Sequence, residues 1–277
     1  LGIRAVPIKI ATVANLSAKP GDIQSSAEFS EYFSIRDGQI YAPGEAFAKE
    51  CLSLGNIGSE ELFRFLTGLI KSAFKYQHHE FRKIRVQLMR FSNIEQIFSA
   101  DDKKNFIIKL YEEYSRVSEI RNNREFWHQF SIACMAFGEY DLAFDRLQTA
   151  YSLAKHTPDE RETYMMDHHH ARLLIDSRRG NISSYDDQAE ALATAGSIVV
   201  RQITSPYRSH GEYPYRVVRL FPDFVIAVRD VLNRTDIRTM LETLQEVENA
   251  VISVDKHGER TSTYRALKRA RNALPKL

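Results

Sequence analysis

From Ser59 onward, apolar residues fall at helical spacing almost throughout the chain. Leu62, Phe65, Leu66, Leu69, Ile70 and Phe74 recur every three or four positions and make one apolar stripe, the mark of a helix with one buried face. Phe81, Ile84, Leu88 and Phe91 form the next stripe. After Ser99, with Asp101 and Asp102 suited to a helix N-terminus, Phe106, Ile107, Leu110, Tyr114 and Val117 repeat the pattern. Phe126 to Phe137 and Asp141 to Ala154 read as a close pair of helices broken at Gly138. Further helices are expected at Thr163 to Arg178, Ser184 to Thr204, Tyr215 to Leu232, Asp236 to Val254 and Ser262 to Ala273.

The first fifty residues have a different texture. Ser25-Ser26-Ala27-Glu28 is a capping box opening a short helix through Phe33. Tyr32 to Arg36 and Gln39 to Ala42 then flank Asp37-Gly38, a dipeptide that favours a tight two-residue hairpin turn. A helical stretch from Glu45 to Leu54 ends at Gly55, so the local order is helix, hairpin, helix, as in winged-helix modules. The expected fold is mainly α: an α-solenoid of helical hairpins over residues 57–277, led by a small winged-helix-like α/β segment over residues 1–56, with a compact bundle as the alternative architecture.

The segment that carries a specific spacing is Phe126-Trp127 through Tyr151. It resembles a tetratricopeptide repeat: Trp127 stands where that family opens its first helix, Gly138 and Tyr140 where it turns, and Ala143, Leu147 and Ala150 on the face of its second helix. Ser131 replaces the usual small glycine, and Lys155 stands where a terminal proline is common, with Pro158 three residues later. A second, degenerate unit is expected from Ala171, Leu173 and Leu174, through Gly180-Asn181, to Ala189.

A wider set of positions extends the likeness. The winged-helix-like start, Leu88 to Phe91, Arg121-Asn122 before Phe126-Trp127, Asp167-His168 before Ala171-Arg172, and Tyr213-Pro214-Tyr215-Arg216-Val217 together resemble the C-terminal region of bacterial STAND-type P-loop ATPases. Proteins of that kind are often joined to sirtuin-like, Toll/interleukin-receptor-like or nuclease effectors and act in anti-phage defence. The resemblance implies a helical sensor or oligomerisation region, with ATP binding upstream and a phage or host protein, or a second copy, as partner.

Composition narrows the classes without choosing among them. The chain has 277 residues, 43% hydrophobic and 27% charged, with a net charge of +2, ordinary for a globular protein. The most apolar windows, near Leu69 and Val225, are broken by Lys71, Asp223 and Arg229, which argues against a membrane span. The start at Leu1-Gly2-Ile3-Arg4 reads as a trimmed piece without a signal peptide, and two distant cysteines, Cys51 and Cys134, suit a reducing cytoplasm and small core spaces.

Candidate chemistry is sparse. Neither a Gly-x-x-x-x-Gly-Lys-Ser/Thr loop nor a Gly-x-Gly-x-x-Gly motif occurs, and no Gly-x-Ser-x-Gly elbow, so no catalytic residue and no cofactor site is expected in this chain. His168, His169 and His170 follow Asp167, yet successive helical side chains diverge by about 100° and cannot all reach one ion, so one inward ring with two solvated ones is expected. His78-His79 reads the same way, and Glu112-Glu113 and Asp186-Asp187 read as splayed pairs on solvated helix faces. The loop from Ser205 to Arg216 concentrates Tyr207, Arg208, Tyr213, Tyr215 and Arg216, residue types enriched at binding hot spots, although Tyr213 and Tyr215 equally suit an anchoring role. The tail from Glu259 to Leu277 carries Arg265, Lys268, Arg269 and Arg271, which read either as a solvated helix face or as a phosphate-binding patch. The two function classes carried forward are therefore a protein-interaction region and, as the alternative, a nucleic-acid-binding module using the winged-helix-like start or this basic helix.

Overall fold

The computed structural model describes residues 5–7, 34–36, 39–41, 58–75, 80–98, 103–154, 160–180, 188–205, 212–255 and 257–276. Three short strands, β1 (Ala5–Pro7), β2 (Ser34–Arg36) and β3 (Gln39–Tyr41), form an antiparallel sheet in the order β1-β3-β2. Arg36 lies opposite Gln39 in the β2–β3 register, which leaves Asp37-Gly38 as the two-residue connection. The helices expected after Ser25 and over Glu45 to Leu54 lie outside the described residues, as do Cys51, His78-His79, Asp101-Asp102, Lys155, Pro158 and Asp186-Asp187.

Helices make up nearly all the rest of the described residues, so the fold is mainly α. They divide into two compact units, Leu1–Phe137 and Gly138–Leu277. The expected boundary at 56/57 falls inside the first unit, and the observed division falls between Phe137 and Gly138.

The first unit holds α1 (Ser59–Lys75), α2 (Glu80–Met89), α3 (Phe91–Ile94), α4 (Lys103–Ser115), α5 (Ser118–Arg121) and α6 (Arg124–Ala136). Its α1 packs on α2 and α4, and α6 packs on α3, α4 and α5. Asn123 caps α6 by accepting the backbone N–H groups of Glu125 and Phe126 at 2.9 and 3.3 Å, which satisfies donors that the helix start leaves unpaired. The core here is aromatic. Tyr111 stacks on Phe130 at 5.0 Å between centroids, Phe126 meets Trp127 edge-on at 5.1 Å, and the Tyr111 hydroxyl donates to the Met89 carbonyl at 2.7 Å. Trp127 is itself buried, with its indole N–H donating to the Arg121 carbonyl at 2.7 Å.

The second unit holds α7 (Tyr140–Ala154), α8 (Glu160–Gly180), α9 (Gln188–Thr204), α10 (Tyr213–Val218), α11 (Phe221–Val228), α12 (Arg234–Val254) and α13 (Thr261–Ala273). A single helix was expected over Tyr215 to Leu232, but the chain forms α10, α11 and a 3-10 turn over Arg229–Val231 instead. Pro222 explains the break, because it lacks an N–H to continue α10 and its ring would meet the carbonyl of Val218. Pro222 is instead placed in the first turn of α11, where no donor is needed. The start of α12 is fixed by a capping box between Asn233 and Asp236.

Within this unit α9 packs on both α8 and α12, while α11 packs on α8 and α13. The core is largely aliphatic: Leu192, Ala195, Val199, Val218, Val225, Met240, Leu244 and Val247 are all closed from solvent, and Phe221 and Phe224 of α11 are buried with them. Gly196 makes the closest approach. A Cβ there would lie 2.4 Å from the Thr243 side-chain methyl, so α9 and α12 meet at a distance only glycine permits. Gly138, at φ 75°, starts the unit in a left-handed conformation that ends α6 and admits α7 two residues later.

Candidate interaction surface

The stretch expected as one loop from Ser205 to Arg216 is helical from Tyr213 onward. Pro214 occupies the first turn of α10, where its fixed φ favours the helix. Tyr215, Val217 and Val218 point into the core and hold α10 down. Tyr213 and Arg216, three residues apart, are thereby left together on the outer face. Tyr213 is 38% exposed, and the Arg216 guanidinium lies 5.5 Å from the centre of its ring. Tyr213 also meets the His168 ring of α8 at 5.2 Å, tilted by 57°. The result is a cluster of imidazole, phenol and guanidinium groups with an exposed cation.

Of the five residues singled out in this stretch, Tyr213 and Arg216 share that surface, and Tyr207 and Arg208 lie outside the described residues. Tyr215 is corrected from contact residue to anchor, since it is 2% exposed. Its ring carries the Arg260 guanidinium at 4.1 Å, and burial raises its hydroxyl pKa.

Arg260 belongs to a latch between the start of α10 and the turn joining α12 to α13. It pairs with Glu212, which also faces Arg219 at 3.8 Å, and Arg219 reaches the Ser262 hydroxyl at 3.4 Å. Burial lowers the pKa of Arg260, but the Glu212 carboxylate and the Tyr215 hydroxyl together leave it raised. Asp255 fixes the turn by accepting the backbone N–H groups of Glu259 and Arg260 at 3.0 and 3.1 Å, and these bonds hold its carboxyl below the usual range against a desolvation cost.

A second polar cluster joins α7, α8 and α9. Asp167 accepts the Tyr151 hydroxyl at 2.7 Å, the Thr163 hydroxyl at 3.3 Å and an Arg201 N–H at 3.0 Å. His170 packs edge-on against Tyr151 at 6.0 Å and Phe144 at 6.2 Å. Desolvation lowers its pKa, with Asp167 opposing and Arg201 adding to that effect. The three histidines diverge as helical geometry requires: His169 is buried, whereas His168 and His170 are half-buried against rings rather than solvated. Among the described residues no group of three or more His, Cys, Asp or Glu side chains is placed to hold a metal ion.

The basic patch on α13 is partly neutralised. Arg269 faces Asp223 at 3.4 Å, and Arg271 pairs with Glu248 at 2.6 Å and Gln245 at 3.2 Å. Arg265 and Lys268 are exposed and have no ion-pair partner among the described residues. Cys134 is buried in α6. Among the described residues no helix is long and apolar enough to cross a membrane.

The Asp167 cluster and the Glu212 latch were not singled out from sequence. Their members stand 16, 34 and 48 residues apart, and no local spacing relates them. Comparison with known proteins gives no match to a family model, to a curated protein or to a solved structure.

Proposed function

We propose that this chain is a non-catalytic protein–protein interaction or sensor region of a bacterial anti-phage STAND-type ATPase, recognising a protein trigger or mediating self-association. The observation that carries the interaction part is the exposed Tyr213–Arg216 pair, mounted on buried neighbours in α10 and braced by His168. Tyrosine and arginine contribute most at protein interfaces when they are held in place before binding, because less side-chain freedom is then lost. The link to a defence ATPase rests on the sequence resemblance. In that reading, binding of the trigger favours an assembled state of the parent protein, with nucleotide handled upstream. No catalytic residue and no cofactor is assigned to this chain.

The test uses the chain as bait in lysates of phage-infected and uninfected bacteria, with and without nuclease. A defined infected-cell protein, or a second copy of the chain, is expected to be retained after nuclease treatment and lost when Tyr213→Ala and Arg216→Glu are combined. Retention that disappears with nuclease, falls steeply with salt and depends on Arg265 and Lys268 would replace this reading with nucleic-acid binding.

A further inference from the structure

We infer that the Tyr213–Arg216 surface binds a carboxylate of an acidic protein segment, an inference that rests on the interaction reading above and specifies the chemistry of its partner. Arg172 is bonded to Asp176 at 3.2 Å, Arg201 to Asp167 at 3.0 Å, and Arg219 and Arg260 both turn to Glu212. Arg216 has no carboxylate among the described residues and is held only by the Tyr213 ring. Glu212 is already engaged by two guanidinium groups and Asp255 by the Arg260 turn, so the charge of Arg216 stays uncompensated among the described residues. An anion is therefore attracted to this face.

The geometry favours a carboxylate from a peptide over a diffuse polyanion. A guanidinium held by a ring rather than by a carboxylate keeps its N–H groups free, and their planar edge matches the two oxygens of one carboxylate. Beside it Tyr213 offers an apolar ring face, 38% exposed, against which the methylene groups of a glutamate or a neighbouring apolar side chain can rest. The latch through Glu212, which immediately precedes Tyr213, keeps both groups in register before binding. Arg265 and Lys268 are exposed on their helix face, and neither guanidinium nor ammonium lies over a ring among the described residues.

The test measures fluorescence anisotropy of labelled hexaglutamate, with hexaglutamine as the neutral peptide and a single-stranded oligonucleotide and inorganic phosphate as competitors, against the whole chain at low salt. Hexaglutamate is expected to bind and hexaglutamine not to. Arg216→Glu is expected to weaken binding by about tenfold or more, and Tyr213→Ala and Arg216→Lys by less, while Arg265→Glu with Lys268→Glu leaves binding near that of the parent. Circular dichroism checks that each variant keeps its helicity. Equal binding by Arg216→Glu, an equal loss in the Arg265/Lys268 variant, or stronger competition by the oligonucleotide or phosphate than by unlabelled hexaglutamate would overturn the inference. Should a trigger protein be captured through Tyr213 while hexaglutamate fails to bind, the acidic-segment inference falls and the sensor reading stands. Hexaglutamate binding beside purely nuclease-sensitive capture gives the reverse.

Discussion

The two compact units solve helix packing with different side chains. In the first, large rings fill the space: Phe126 and Phe130 each lie within 6.2 Å of Tyr111, of Trp127 and of each other, and the Tyr111 hydroxyl is satisfied by the Met89 carbonyl. In the second, long helices approach closely because Gly196 and Ala195 present almost nothing between α9 and α12. Polar chemistry differs accordingly. The second unit ties its helix surfaces with the Asp167 cluster and the Glu212 latch, and its exposed Tyr213–Arg216 pair is mounted on that frame. Aromatic filling makes stability depend on a few large rings, whereas close approach makes it depend on what is missing.

The largest expected effect tests the aromatic side. Phe130→Ala removes a ring stacked on Tyr111 and should destabilise the first unit by about 3–5 kcal/mol. Trp127, the sole tryptophan of the chain, reports that unit's denaturant midpoint by fluorescence. Next comes Gly196→Ala in the second unit. The new methyl must displace the stiff, buried Thr243 side chain, so a loss of about 1–3 kcal/mol is expected, less the gain in helix propensity. Thr243→Ser, which deletes the opposing methyl and keeps the hydroxyl bond to the Thr239 carbonyl, should recover much of it. Hydrogen exchange of α9 and α12 peptides reads both variants, and an additive double mutant would show that the contact is not the cause.

Tyr111→Phe is smaller. It leaves the Met89 carbonyl without its buried partner and should cost about 1–2 kcal/mol, seen as a lower midpoint in the Trp127 signal. The second unit also responds to pH. Because burial lowers the His170 pKa below its ordinary 6.5, the folded state binds that proton less readily than the unfolded one, so stability of the second unit falls as pH drops from neutral through 6.5 and below. His170→Gln should flatten this part of the profile, measured by exchange in α8, and an unchanged slope would assign it to other groups. The smallest effect on stability is expected from Tyr213→Ala and Arg216→Ala, within about 0.5 kcal/mol, because both side chains face solvent. Their loss should appear in partner binding alone.

Helical periodicity was enough to locate most of this architecture, for a physical reason. Each long helix buries one stripe, so Leu62, Leu66, Leu69 and Ile70 in α1, or Met240, Leu244, Val247 and Val251 in α12, betray it locally. Short pieces escaped, since α3 and α5 have only four residues and show no full period. The break at Pro222 was legible in principle but was overridden by the apolar run around it. Of the site, Tyr213 and Arg216 could be named from residue type, while the burial of Tyr215 could not, because a tyrosine in a polar stretch suits either side of the surface. The partners that fix them, His168, Glu212 and Arg260, come from three separate segments, and only folding brings them together. The two helices that periodicity predicts over Phe126 to Phe137 and Asp141 to Ala154 are present as α6 and α7, with Gly138 between, in two different compact units.

The close approach at Gly196 also has a consequence for descent. Two helices that touch through a missing side chain impose a joint constraint on positions 47 residues apart, 196 and 243. Along any lineage that keeps this fold, a larger residue at the first position must be preceded or followed by a smaller one at the second. Substitutions at the two positions should therefore be inherited as a pair, a historical trace of a contact that neither position reveals on its own.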